Sequence, residues 1–225
     1  GTGDTEEPAA EAQDYRETGP FSVTSTTQTI EVGSCSMDIT LFEPQAESPN
    51  PLIILAHGFA RSPDNMVGWG EHYASWGFQV ATPKLCHASI WDADHSTNAN
   101  DLIDLGQALS SEGVIYAGQS AGGLAALLAA GRDGAAEGVL GLDATDSESI
   151  GVVEASSVSV PVFGLVGEAS DCNSDNNGLE IYAAIDAAQV LRVTEADHCD
   201  FESDTDFICT SFCQGSNSRF TDEQI

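Results

Sequence analysis

One segment, VIYAGQSAGGLAALLAA at 114–130, constrains the fold more than any other part of the chain. It opens as a short apolar run of the kind a buried strand shows. It then passes through Gly118-Gln119-Ser120-Ala121-Gly122 directly into an Ala- and Leu-rich helix from Ala121 to Ala130. A serine on so sharp a turn projects its Oγ above the sheet, and the glycines two before and two after it are needed because side chains there would collide with neighbouring backbone. The helix that opens just past Ser120 aims N-terminal amide donors at developing negative charge. Strand, Gly-x-Ser-x-Gly turn and helix in this order read as a nucleophile elbow.

The flanking segments supply the sheet that such a turn requires. TQTIEV and SMDITLFEP alternate apolar with polar at period two, as half-buried antiparallel strands do. PLIILAH, FQVATP, GVLGLD, VPVFGLVGE and LRVTE are further strands. Ser62-Pro63 offers an N-cap and first-turn proline for a helix through about Trp76. Leu102, Leu105 and Leu109 recur at helical spacing over 97–110, and GLEIYAAIDAA is the helix between the last two strands. Strands alternating with helices predict an α/β fold, a doubly wound and mostly parallel sheet with helices on both faces and antiparallel first strands. The 225 residues fit one such domain. Residues 1–20, acidic and without periodicity, read as a flexible linker left after processing or tethering a secreted domain, and 21–225 as the domain. Asp146 to Val160, between two strands, is too short for a helical cap domain. Thr221-Asp222-Glu223-Gln224 has a capping-box pattern that opens a helix, so the closing C-terminal helix is expected to be absent or supplied separately.

Six Lys and Arg against 36 Asp and Glu give a net charge of −30. That balance excludes nucleic acid as a direct partner, because phosphate binding needs a basic surface. The same field repels anionic membranes, and no apolar run approaches the length of a spanning helix, so a soluble monomer without membrane insertion is expected. Lys84 is the only lysine. Adaptation to a saline habitat fits such a surface, with an acidic protein of ordinary origin as the alternative. If salt is what makes the surface tolerable, the melting temperature rises between about 0.1 M and 1 M sodium chloride, where the Debye length falls from about 10 Å to about 3 Å. A flat or falling melting temperature would count against halophilic adaptation. Six cysteines without paired Cys-x-x-Cys spacing point to disulfides in an oxidising compartment, hence a secreted or periplasmic protein, and to no zinc site.

PLIILAHGFARSPDNMVGWGEHYASWGFQVATPKL resembles a segment of plant chlorophyllases and of bacterial polyester hydrolases of the cutinase type. Both carry an HGF- or PGY-like turn after the third strand, then a helix and a similar strand entry. From about residue 30 to residue 205 the chain looks like an α/β-hydrolase. The resemblance implies that the Phe59 and Ala121 amides form an oxyanion hole, that Ser120 is the nucleophile and that His198, in LRVTEADHCDF, is the general base. Asp143, in GVLGLDATD, resembles the aspartate that orients the histidine in chlorophyllases and pancreatic-type lipases. Polyester hydrolases carry their acid after the seventh strand. Here that region reads LVGEASDCNSDNN, with Ser170 where the aspartate would fall and Asp171 or Glu168 as stand-ins.

Of the other histidines, His57 braces the turn, and His72, His87 and His95 read as surface or core residues. His87, Asp92, Asp94 and His95 lack the helical pairing of a metal site and read as a polar loop. Asp171, Asn173 and Asp175 resemble a calcium loop, but Asn176 stands where that loop needs Gly, so a solvated acidic loop pinned by a disulfide is expected instead. A Cys172–Cys199 bridge would tie the two loops beside His198, leaving Cys209 to pair with Cys213, or with Cys35 or Cys86. The implied activity is carboxylic ester hydrolysis through an acyl-enzyme, with no cofactor and no metal, in an open, lidless cleft. Phe59, Trp69, Trp91 and Leu142 are the expected substrate-binding residues, for a small-molecule or polymeric ester. A secreted serine peptidase and a non-catalytic binding module on the same fold are the rival readings.

Overall fold

In the computed structural model, residues 13–48, 50–110, 112–203 and 205–213 are described. Eight strands form one sheet: β1 (Val23–Glu31), β2 (Ser36–Pro44), β3 (Asn50–Ala56), β4 (Phe78–Pro83), β5 (Val114–Gln119), β6 (Ala136–Leu142), β7 (Val162–Val166) and β8 (Ala188–Arg192). Their spatial order is β1-β2-β4-β3-β5-β6-β7-β8. The β1–β2 and β2–β4 pairs are antiparallel. Every other pairing is parallel.

The continuous apolar run of β3 follows from burial on both faces. Leu52, Ile54 and Ala56 pack on one side with α2 (His95–Leu109), α3 (Ala121–Arg132) and α5 (Gly178–Ala183). Ile53 and Leu55 point the other way, to Phe42, Met66, Phe201 and Ala74 of α1 (Val67–Ser75). Each fully buried Ile or Leu contributes about 1.5–3 kcal/mol. At the sheet edge, β1 is exposed over Thr24–Gln28 and lined with polar residues, which discourages pairing with a further strand.

Several boundaries differ from those the sequence predicts. The helix expected from Ser62 to Trp76 is a 3-10 turn (Pro63–Met66) followed by α1, because Met66 leaves helical dihedrals (φ −118°, ψ 6°). The second helix begins early, at His95, since the Asp94 side chain accepts from Thr97 N–H. Two short helices are additional: α4 (Ile150–Glu154), within the β6–β7 connection, and α6 (Phe207–Phe212). Part of the expected N-terminal linker is docked. Tyr15 packs on Trp76 with ring centroids 4.7 Å apart. Trp76 Nε1 donates to the Glu17 carbonyl (3.1 Å), and Gly19 N–H donates to Ser75 Oγ (2.8 Å). The capping-box pattern at Thr221–Gln224 lies outside the described residues. Among the described residues no helix is long and apolar enough to cross a membrane.

Candidate active site

The parallel strands place their C-terminal ends along one rim of the sheet, and the turn after β5 stands at its centre. Ser120 adopts φ 55°, ψ −123° there, a left-handed conformation unfavourable to any residue but glycine and costing about 1–3 kcal/mol. The surrounding structure holds it: Ser120 N–H donates to Leu142 O (3.0 Å), and Ser120 O accepts from Leu124 N–H (3.2 Å). Both flanking glycines are sterically required. A Cβ on Gly118 would lie 2.4 Å from the carbonyl carbon of Gly122, and one on Gly122 would lie 2.4 Å from His57 O.

Asp143 directly follows β6 and is 1% exposed. Its Oδ2 accepts from His198 Nδ1 at 2.6 Å and from Asn173 Nδ2 at 3.0 Å, and its Oδ1 accepts from Gly167 N–H at 3.0 Å. Three donors on one buried carboxylate compensate its lost hydration. Donation from Nδ1 leaves a lone pair on Nε2 of the neutral ring. His198 lies in the 3-10 turn 198–201, whose N-cap Asp197 accepts from Cys199 N–H (2.9 Å). The alternative acids are exposed and turned elsewhere: Glu168 accepts from Glu195 N–H (3.1 Å), and Asp171 lies on an outer turn.

Across from the elbow, His57 spans the loop after β3. Leu85 N–H donates to its Nε2 (3.1 Å), and its Nδ1 faces Gly58 O (2.8 Å). Burial pushes this imidazole down to about 4, so it stays uncharged near neutrality. The loop continues to Arg61, whose Nε and Nη2 form a bidentate pair with Glu202 (2.5 and 2.7 Å). Among the described residues, neither the Phe59 nor the Ala121 N–H donates to a protein acceptor.

Ser120 and His198 open into a cleft of about 230 Å³ with Phe59, Ile208 and Phe212 in its walls. Helix α6 forms one wall and is pinned by two disulfides, Cys199–Cys209 and Cys172–Cys213; the third bridge is Cys35–Cys86. The expected Cys172–Cys199 bridge is therefore wrong. The chain after His198 folds back over the site, so Cys199 meets Cys209 on α6 and Cys172 meets Cys213 at its C-terminal end instead. A larger hollow of about 530 Å³ lies between residues 13–21 and α1, but its described lining has no serine, threonine or cysteine.

No protein-family model matches the chain, and no curated protein matches it in sequence. Among solved structures it is similar to Est1E from Butyrivibrio proteoclasticus, at 14% identity and a TM-score of 0.64 over 77% of this chain and 90% of that one. It is equally similar to a predicted CIB-like hydrolase from Thermoplasma acidophilum, at 14% identity and a TM-score of 0.64 over 78% of this chain and 89% of that one. The chain has the α/β-hydrolase fold.

Within that α/β-hydrolase frame, the residues singled out from the sequence separate into two groups. Ser120, Asp143 and His198 converge at the rim, and Phe59 stands in the cleft wall. Leu142 does not reach the cleft. It is wholly buried, because alternation along β6 turns it to the α1 face. Trp69 is also held away, donating from Nε1 to Phe201 O (3.1 Å) and stacking on Tyr73. Trp91 is 90% exposed on the loop after β4 and is not in the cleft lining. His87 bonds Asp92 and Ser34, and Asp94 caps α2, so the polar group there is engaged in loop structure. Among the described residues, the one cluster spaced like metal ligands is Cys199, Cys209 and Cys213, all in disulfides. Two contributors escaped sequence reasoning. Asn173, read there as part of a calcium-like loop, is buried and donates to Asp143. Gln119, the variable residue of the Gly-x-Ser-x-Gly turn, contacts His198.

Proposed function

We propose that this protein is a secreted serine hydrolase that cleaves carboxylic esters through a Ser120–His198–Asp143 triad. The observation that carries the reading is the buried 2.6 Å contact of Asp143 with His198 Nδ1, beside a serine held in a strained turn at the mouth of a cleft. Nε2 takes the Ser120 proton as Oγ attacks the ester carbonyl, and the imidazolium returns it to the departing alkoxide. Water then attacks the acyl-enzyme by the same proton path and releases the acid. The Phe59 and Ala121 amides, without protein acceptors, hold the oxyanion of each tetrahedral intermediate. Three disulfides among the described residues support an oxidising destination.

The cleft is below the usual range of about 300–1,000 Å³ for ligand pockets, which favours a short acyl group. Its rim is apolar: Phe59, Ile208 and Phe212 are 40, 59 and 82% exposed. An apolar ester, uncharged or nearly so, suits that rim and the strongly negative field of the protein. Within the ester class, an acid directly after β6 supports the likeness to chlorophyllases and pancreatic-type lipases over that to polyester hydrolases.

A panel of p-nitrophenyl esters of rising acyl length, run beside a chromogenic peptide, tests this reading. The expected result is turnover of esters with a preference for short acyl chains and none of the peptide. Cleavage of the peptide at comparable kcat/KM would transfer the protein to the peptidases, and binding without turnover would make it a binding module. On the same panel Phe212→Ala should lower kcat/KM for the longer apolar esters by about tenfold, the equivalent of one to two methylenes of lost contact, and affect the acetate less.

A further inference from the structure

Gln119 is 1% exposed and stands between Gly118 and Ser120, yet the reaction as written makes no use of it. Its side-chain nitrogen lies 3.2 Å from His198 Nε2 and 3.2 Å from the His198 carbonyl oxygen. The carbonyl can only accept, so the amide nitrogen faces His198, which fixes which way the amide points. Asp143 takes the Nδ1 proton, so the amide donates to the Nε2 lone pair. At its other end the amide oxygen abuts the loop after β3, where a Cβ on Gly58 would lie 2.3 Å from it. Among the described residues, Ser120 Oγ makes no hydrogen bond to the imidazole.

That lone pair is the one that must receive the Ser120 proton. We propose that Gln119 is a positioning residue that holds His198 as the free base between turnovers and gives up its hydrogen bond when Ser120 engages Nε2. The inference rests on the serine-hydrolase reading for its purpose, though not for its geometry. Once Nε2 carries a proton, the ring and the amide present donors to each other, so Gln119 favours the uncharged ring. The other charged and titratable groups around the base are held by partners of their own. Asp143 faces Nδ1, and Arg61 and Glu202 are paired with each other in the cleft lining. Asp197 and Asp200 bond within the turn that carries His198. Tyr182, buried on α5, is kept neutral by burial and by the Asp143 charge, both of which raise its phenol. His57 is uncharged near neutrality.

The test is the pH profile of kcat/KM for a p-nitrophenyl ester, whose acid limb reports the free enzyme, measured for the native protein, Gln119→Met and Gln119→Glu. Loss of the amide in Gln119→Met should move the acid limb up by about one pH unit, and the carboxylate of Gln119→Glu should move it up by about one to three, since it pairs with the imidazolium. A 15N NMR titration of the His198 ring in the same three proteins should move in the same direction and needs no turnover. Lower kcat at every pH with the acid limb and the ring titration unmoved would reduce Gln119 to a packing residue and overturn the proposal. If Gln119→Met does not fold, the native protein decides: at high pH the 15N shift of His198 Nε2 should be that of a lone pair accepting a hydrogen bond, and the shift of an unbonded lone pair would overturn the proposal. Absence of ester turnover with a shifted ring titration would refute the hydrolase reading while leaving the hold on His198 standing.

Discussion

Asp143→Asn is expected to lower kcat by about 10⁴-fold with the fold intact, the size of effect found when a serine protease loses its triad aspartate. The reason lies in the three donors that converge on this carboxylate. Gly167 N–H points at Oδ1, while Asn173 Nδ2 and His198 Nδ1–H point at Oδ2. An asparagine must turn its own NH2 toward one side or the other, so either orientation sets a donor against a donor. Turned toward His198, it forces the proton onto Nε2, the tautomer that cannot accept from Ser120. The cost to folding is smaller, because removing the charge also removes its desolvation penalty. Asp171→Asn and Glu168→Gln should keep most of the activity, since both groups are exposed and directed away from His198. Steady-state kcat, with a melting curve for each variant, checks all three. Were Asp171→Asn the damaging change, the acid would belong after β7 and the polyester-hydrolase likeness would outrank the chlorophyllase-like one.

Ser120→Ala is expected to remove about 10⁴- to 10⁶-fold of kcat, since members of a triad act as a unit and loss of the nucleophile alone costs nearly as much as loss of all three. Alanine keeps the unfavourable dihedrals and the hydrogen bonds of the turn to Leu142 and Leu124, all made by backbone, so the elbow should survive. Turnover by folded Ser120→Ala at a substantial fraction of the native rate would place the nucleophile elsewhere.

Much of this arrangement was legible in the residues themselves. Runs such as Leu52–Ala56 are apolar at every position because the sheet is covered on both faces, and the glycines around Ser120 announce a backbone too close for side chains. Asp143 stood out in the sequence only by its likeness to the aspartate of chlorophyllases and pancreatic-type lipases; as a carboxylate closing an apolar strand it has to be paired, and its partner is His198. The alternation that could have excluded Leu142 from the cleft was also present: it shares a face of β6 with Leu140, and both turn to the α1 side. The roles of Gln119 and Asn173 were not legible, because neutral amides have no periodic or charge signature and their partners lie 79 and 30 residues away in sequence. Nor was the path of α6. Four cysteines near one site allow several pairings, and only the chain's return across the cleft joins Cys172 to Cys213 and Cys199 to Cys209. That return also qualifies the expectation of an open cleft. No cap is inserted between β6 and β7, yet the disulfide-pinned helix α6 forms one wall.

Covalent labelling by a fluorophosphonate probe, followed by intact mass and peptide mapping, tests the central claim most directly, because phosphonylation requires a serine activated by its base whatever the natural ester. A single adduct is expected, mapped to Ser120, absent from Ser120→Ala and strongly slowed in Asp143→Asn. An adduct on another residue, or none on the folded native protein, would contradict the account.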